Sequence, residues 1–209
     1  MKKYFITGTD TDCGKTYVTR KLTESVPNSA AIKPVASGCS FINDELVSSD
    51  AQELMHNSSL TMQQINPWRF QLPVSPHIAA QQEGVRLNIQ ELAEYCTSLE
   101  LPQIDTLFIE GAGGLMVPLN QEETWLDFLN STKIPVILVV GMKLGCINHA
   151  LLTAMVLKSN KISCAGWIAN CLDKKMLALE ENIQTLKAKL EIPLLAIIPF
   201  EGALTAINL

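Results

Sequence analysis

The chain has 209 residues, 47% of them hydrophobic and 18% charged, with a net charge of -5 and a pI near 5.2. This length and composition suit one α/β domain spanning 1–209 with a sizeable core, and the acidic balance excludes a nucleic-acid partner, whose phosphate backbone calls for clustered Lys and Arg. No run reaches about eighteen apolar residues, and Met-Lys-Lys-Tyr-Phe-Ile is too short an opening for a signal peptide, so a soluble cytoplasmic protein without a membrane partner is expected.

The first predicted strand, Tyr4–Thr7, runs into Gly8-Thr9-Asp10-Thr11-Asp12-Cys13-Gly14-Lys15-Thr16, and a helix is predicted over Lys15–Val26. A strand, a Gly-Lys-Thr loop and a helix in that order form a phosphate-binding loop. Backbone N–H groups turn inward around phosphate oxygens, and the helix start supplies a favourable dipole. Gly14 permits close backbone approach, Lys15 reaches the β- and γ-phosphates as a point charge, and the Thr16 hydroxyl is placed to ligate magnesium. The strict pattern wants Gly five residues before Gly14, where Thr9 stands. Gly8 lies one step early, so the loop is a variant.

A second strand, Ala30–Pro34, delivers Lys33 into Pro34-Val35-Ala36-Ser37-Gly38. A cation leaving an apolar strand beside a phosphate loop is placed to stabilise a transferring phosphoryl group; the plain alternative is a surface lysine. Ser48-Ser49-Asp50 opens a predicted helix over Ser49–His56, where Asp50 reads equally well as a first-turn acid or as a site residue. Asn57 to Gly84, with Asn66-Pro67-Trp68 and Pro73-Val74-Ser75-Pro76-His77, reads as a long irregular connection of the kind that belongs to a site. After a helix over Ile89–Leu99, the strand Thr106–Glu110 ends in Glu110-Gly111-Ala112-Gly113-Gly114. An acid at the carboxyl end of a buried strand, at the sheet edge that carries the phosphate loop, is where a second magnesium contact is expected. The glycines fit a ligand-facing loop or a tight turn.

Strands at Val136–Val140, Cys164–Ala169 and Leu194–Ile198 alternate with helices at Asn148–Ser159 and Met176–Leu190. Short, continuously apolar strands alternating with helices describe a mostly parallel sheet covered on both faces, the P-loop nucleoside-triphosphatase architecture. The six cysteines lack metal or disulfide spacing and most of them read as small buried apolar residues, and the three histidines read as structural.

Taken together, the loop Gly8–Thr16, Lys33–Gly38, Glu110–Gly114 and Val139-Val140-Gly141-Met142-Lys143-Leu144-Gly145-Cys146-Ile147-Asn148-His149-Ala150 closely resemble the dethiobiotin synthetases. Ser75-Pro76-His77 and Gly166-Trp167-Ile168-Ala169-Asn170 extend the likeness almost end to end. The resemblance implies an ATP-dependent ring closure. One amine of 7,8-diaminononanoate captures carbon dioxide as a carbamate, ATP phosphorylates it, and the second amine displaces phosphate. Lys15 and Lys33 would be catalytic. Asp12, Cys13, Gly14, Lys15, Thr16, Tyr17, Gly111, Ala112 and Gly113 would meet the nucleotide, with Asn170, Cys171, Pro199, Phe200 and Glu201 about its base. Thr16, Asp50 and Glu110 would hold magnesium. Ser37 would touch the diamine, and Gly145, Cys146 and Asn148 would meet the substrate carboxylate from the partner subunit of a homodimer. Two positions depart from the family: Cys171 stands where Asp is common, and Asn182 falls where some relatives present a Tyr. A P-loop switch ATPase typically carries Lys five residues before the loop lysine, where Asp10 stands here; a nucleotide-binding module without ligase activity is the other alternative.

Overall fold

Strand β8 (Val136–Met142) shows how the sequence builds this fold, because its alternate side chains belong to two different cores. Ile137 and Val139 join a large cluster with Phe5, Val18, Leu92 and Phe128, whereas Leu138, Val140 and Met142 pack with Trp167, Ala150, Ile183 and Leu186. A strand apolar on both faces must be covered on both, which requires helical layers above and below. The computed structural model describes residues 1–56, 58–204 and 207.

In chain order, β1 (Lys2–Gly8) leads through the phosphate loop to α1 (Lys15–Ser25) and β2 (Ser29–Ile32). There follow β3 (Val35–Ala36), the hairpin β4 (Ser40–Ile42) and β5 (Glu45–Val47), and α2 (Ser49–Met55). Next come α3 (Met62–Ile65), β6 (Trp68–Arg69), α4 (Pro76–Gln82), α5 (Ile89–Ser98), β7 (Thr106–Gly114) and α6 (Trp125–Thr132). After β8, the chain forms α7 (Cys146–Ser159), β9 (Cys164–Cys171), α8 (Leu179–Lys189) and β10 (Leu194–Ile198). The six long strands form one parallel sheet in the order β10-β9-β8-β1-β7-β2. The α/β class and the six central strands read from the sequence are therefore present. Every connection that leaves a strand's carboxyl end emerges on one edge, where ligands of open α/β sheets bind.

Several boundaries differ from the expectations. The Asn57–Gly84 segment is an irregular connection only in part, at 58–61, 66–67 and 70–75, and Asn57 itself lies outside the described residues. The segment carries α3, β6 and α4, started by a Thr61–Gln64 capping box and by Pro76 in the first helical turn. β6 pairs in parallel with β3, Val35 opposite Trp68. The glycines after Glu110 continue β7 as far as Gly114 instead of turning at once. Gly111 is required there by packing, since a Cβ on it would sit 2.6 Å from Phe5 Cζ. Helix α7 starts two residues before Asn148, and α8 starts three residues after Met176. Helix α6 and the β4–β5 hairpin were not predicted. The hairpin turns on Asn43 and Asp44, both at positive φ, which short polar side chains tolerate.

Phe5 packs against Trp125 and Phe128 at centroid distances of 5.1 and 5.5 Å, and Trp125 Nε1 donates to Ala112 O at 3.0 Å. Trp125 thereby ties α6 to the glycine-rich end of β7. Trp125→Ala should lower unfolding free energy by about 3–5 kcal/mol, read as a shifted midpoint in urea denaturation.

Candidate active site

The phosphate loop owes its shape to Cys13 and three glycines. Cys13 is fully buried, and a Cβ on Gly8 would lie 2.3 Å from its sulfur, while one on Gly141 would lie 2.9 Å from its Cα and Cβ. Gly14 adopts φ 82 as N-cap of α1, and a Cβ there would meet Asn170 Nδ2 at 2.1 Å. No side chain caps α1, which leaves its first N–H groups to the loop's concavity. Asn170, buried at the end of β9, donates from Nδ2 to Cys13 O at 3.0 Å and braces the loop from below. Lys15 Nζ lies across the loop and donates to Asp10 O at 3.0 Å.

Around this loop the strand ends deliver a charged cluster. Glu110, buried to 0% exposure on β7, accepts through Oε1 from Thr16 Oγ1 at 2.7 Å and from Lys33 Nζ at 2.9 Å. Lys33 also pairs with Asp50 in the first turn of α2, whose cap is Ser48, accepting from Ala51 N–H. Asp50 is thus free of the capping role and turned to the site. Burial by itself pulls the Lys33 pKa down, but Glu110 and Asp50 outweigh it and hold the ammonium above the usual lysine range, so it stays charged throughout the physiological range.

Glu110 Oε2 is buried without a hydrogen-bond partner. Together with the Thr16 hydroxyl and the Asp50 carboxylate it makes a set of hard oxygen donors, the type magnesium takes. Among the described residues no group of three or more His, Cys, Asp or Glu could hold a metal. Two carboxylates and a hydroxyl beside a phosphate loop match an ion that shares its coordination with nucleotide phosphates.

Other expected residues fall into two groups. Tyr17 donates from its hydroxyl to Gly202 O at 2.6 Å, which brings the Pro199–Gly202 turn, with Phe200 half-exposed and Glu201 at φ 53, against α1. Ser37 donates to Val74 O at 2.6 Å, at the end of β3. Gly145 caps α7 at φ 92, and Asn148 is exposed on its first turn. Asp12 is exposed on the loop at φ 53, and Gly113 turns at φ 67. By contrast, the Cys146 and Cys171 side chains do not join the site. Both pack in the core under α7 and α8, and burial pushes the Cys171 thiol up. The Cys146 N–H is taken by Lys143 O at 3.0 Å. Gly111 and Ala112 are likewise buried within β7.

The sequence reading missed Lys143. From the β8–α7 turn its Nζ pairs with Asp10 Oδ2 at 2.7 Å, and this hydrogen bond lowers the Asp10 pKa and raises that of Lys143. A charge of opposite sign in each of two glycine-flanked turns at one sheet edge was the available signal.

A variant phosphate loop at the end of the central strand of a parallel sheet defines a P-loop nucleotide-handling domain. The fold is shared with the septum site-determining protein MinD from Pyrococcus horikoshii OT3, solved with Mg-ADP, at 20% identity and TM-score 0.54 over 94% of this chain and 81% of that one. It is shared also with a ParA family ATPase from Chlorobium tepidum TLS, at 10% identity and TM-score 0.57 over 95% and 84%. A family model described as an AAA domain matches residues 2–208. The ATP-dependent dethiobiotin synthetase BioD of Legionella pneumophila (strain Paris) is 60% identical over 209 residues, 100% of this chain and 99% of the relative. The protein of that name from Pseudoalteromonas translucida (strain TAC 125) is 42% identical over 96% and 91%. The chain belongs to the ATP-dependent dethiobiotin synthetase family.

Glu110→Gln keeps the shape of the site and removes its buried charge. Interactions with a charged group are worth about 1.5–3 kcal/mol, so the magnesium concentration giving half-maximal ATP turnover should rise on the order of ten- to a hundredfold. A magnesium titration that does not move would leave Glu110 as a purely structural acid.

Proposed function

We propose that this chain converts 7,8-diaminononanoate, carbon dioxide and ATP into dethiobiotin, ADP and phosphate, and that the Thr16–Glu110–Lys33–Asp50 cluster beside the phosphate loop carries the chemistry. The convergence of Lys33 and two carboxylates at that loop is the observation that supports this reading most. In the first step an amine nitrogen bonds to the carbon of carbon dioxide and releases a proton, giving a carbamate. A carbamate oxygen then attacks the γ-phosphorus while the bond to ADP breaks. Finally the second amine attacks the carbamoyl carbon, phosphate leaves, and the cyclic urea closes.

The difficult encounter is between two anions, the carbamate and the γ-phosphate. Cations fixed in a water-poor site before reaction stabilise the charge that develops without having to reorganise. Lys33, 6% exposed and held charged, meets that description, and Lys15 is placed to follow the phosphates. Thr16, Asp50 and Glu110 would hold magnesium, whose charge offsets the β- and γ-phosphate oxygens. Asp12, Gly14 and Tyr17 would flank the phosphates and Gly113 the loop opposite. Asn170 and the Pro199–Glu201 turn would border the base, with Cys171 contributing only backbone. Ser37 would meet the diamine.

The carboxylate at the far end of the diamine needs a receptor away from the phosphates. Gly145 and Asn148 lie at the exposed start of α7, which no side chain caps and which presents a positive dipole end. We place that receptor on the partner subunit of a homodimer, so that each site draws on both chains. Cys146 would serve there through its position in the turn and not through its buried thiol. Among the described residues no helix is long and apolar enough to cross a membrane.

The deciding assay supplies 7,8-diaminononanoate, bicarbonate and ATP and follows phosphate release with mass spectrometry of the product; release indifferent to the diamine would refute the ligase reading. Lys33→Met should bind ATP near-normally and lose on the order of 10²–10³ in turnover. The shared site has its own test. In a mixture of Lys33→Met and Asn148→Asp chains, both lesions can fall in one site and leave the other intact. Activity should return once heterodimers form, and inactive heterodimers would show that each site is built from one chain.

A further inference from the structure

We infer that Asn66 is a positioning residue for Lys33, fixing the point from which the chain delivers that ammonium to Glu110 and Asp50. The inference rests on the role proposed for Lys33 above. β2 pairs with β7 only as far as Ile32 opposite Ile109, so the sheet ladder ends one residue before Lys33. A backbone leaving its ladder has lost the hydrogen bonds that set its course, and any displacement there is carried down the lysine stem to Nζ.

The segment after α3 replaces that ladder. Lys33 N–H donates to Ile65 O at 2.9 Å, and Asn66 Nδ2 donates to Lys33 O at 2.7 Å. The same amide reaches Pro34 O at 3.2 Å and Trp68 O at 3.3 Å. Both polar groups of the Lys33 backbone are thus held by adjacent residues, 65 and 66. Asn66 itself is 0% exposed, so its donors are out of contact with solvent. Three surrounding carbonyls also settle the amide's orientation, because the flipped form would turn its oxygen toward them.

Asn66 Oδ1 is buried and has no hydrogen-bond partner. That acceptor costs stability while the donor contacts supply it, and the shortest of those contacts is the one to the Lys33 carbonyl. What it supplies is a rigid donor at the carbonyl of Lys33. Pro34 O keeps a second donor in Trp68 N–H at 3.0 Å, so loss of the amide falls most heavily on the Lys33 carbonyl.

The test is a double-mutant cycle on the full enzyme, with Asn66→Ala and Asn66→Ser each made alone and in the Lys33→Met background. A misplacement of about 1 Å in a catalytic group can cost on the order of 10²-fold. Asn66→Ala should therefore lower turnover roughly ten- to a hundredfold while the KM for ATP stays within about twofold. Asn66→Ser keeps one donor and should lose less. In the Lys33→Met background neither change should lower the residual turnover further, because the effect runs through the missing ammonium. Equal losses in both backgrounds, or a KM for ATP that rises in step with the fall in turnover, would overturn the positioning role. Where the alanine chain does not fold, the serine chain carries the same comparison. Normal turnover by Lys33→Met alone would overturn the role of Lys33 and this inference together, whereas a crippled Lys33→Met with additive Asn66 losses overturns this inference only.

Discussion

A carboxylate with no solvent exposure, within an inner strand, has to be compensated within the protein, and much of the site's arrangement answers to Glu110. Its Oε1 takes one hydrogen bond from α1 through Thr16 and one from the end of β2 through Lys33. Lys33 in turn collects Asp50 from α2. Four elements are therefore tied to one buried charge. Such an ion pair is weak evidence for stability, because desolvating both partners offsets most of their attraction, and well-packed apolar residues often serve the fold as well. Its location suits function better. A buried cation flanked by acids, at the mouth of a phosphate loop, forms a field fixed before any substrate arrives.

The sheet brings the remaining groups within reach. β1, β2, β8 and β10 lead into the phosphate loop, Lys33, the Lys143 turn and the Pro199 turn, while Glu110 stands midway along β7 and Asn170 near the carboxyl end of β9. In a parallel sheet all of these ends lie on one edge, which is why residues from six parts of the chain form one surface. Close approach demands small residues where backbones meet. Gly8 and Gly141 pack on Cys13, whose side chain fills the space beneath the loop and takes no evident part in chemistry.

What was legible in the sequence follows from how local each signal is. The phosphate loop and the apolar strands are written in consecutive residues and are found where their patterns indicated, whereas the strand expected to end at Glu110 runs on through the glycines to Gly114. Local chemistry leaves Asp50 open and only the family resemblance assigns it to magnesium, because a first-turn acid and a site acid look alike until Lys33, seventeen positions away, is seen beside it. Asn66 and Lys143 were missed for the same reason, since their partners are distant in sequence. The 57–84 segment misled through its prolines: Pro76 begins α4. Helix α6 did carry a local signal, the Thr124–Asp127 capping box, with Asp in the place usually taken by Glu or Gln. Cys146 and Cys171 lie in stretches that reach the site, but strand and helix periodicity turns their side chains into the core.

The two lysines of the site are held in different ways, and the difference divides their labour. Lys15 Nζ is held by a neutral carbonyl at 3.0 Å and lies 3.9 Å from the Cys13 sulfur. A single hydrogen bond from an ammonium to a neutral carbonyl is worth about 1.5–3 kcal/mol net and involves no opposite charge, so a polyanion entering the loop competes for Lys15 readily. Lys33 is held by two carboxylates, so that both partners of each contact are charged, and its backbone is gripped by residues 65 and 66. Phosphate entry therefore moves Lys15 more readily than Lys33. In the proposed reaction the first lysine would travel with the nucleotide, while the second would keep its position as the reference against which the phosphoryl group and its acceptor are aligned.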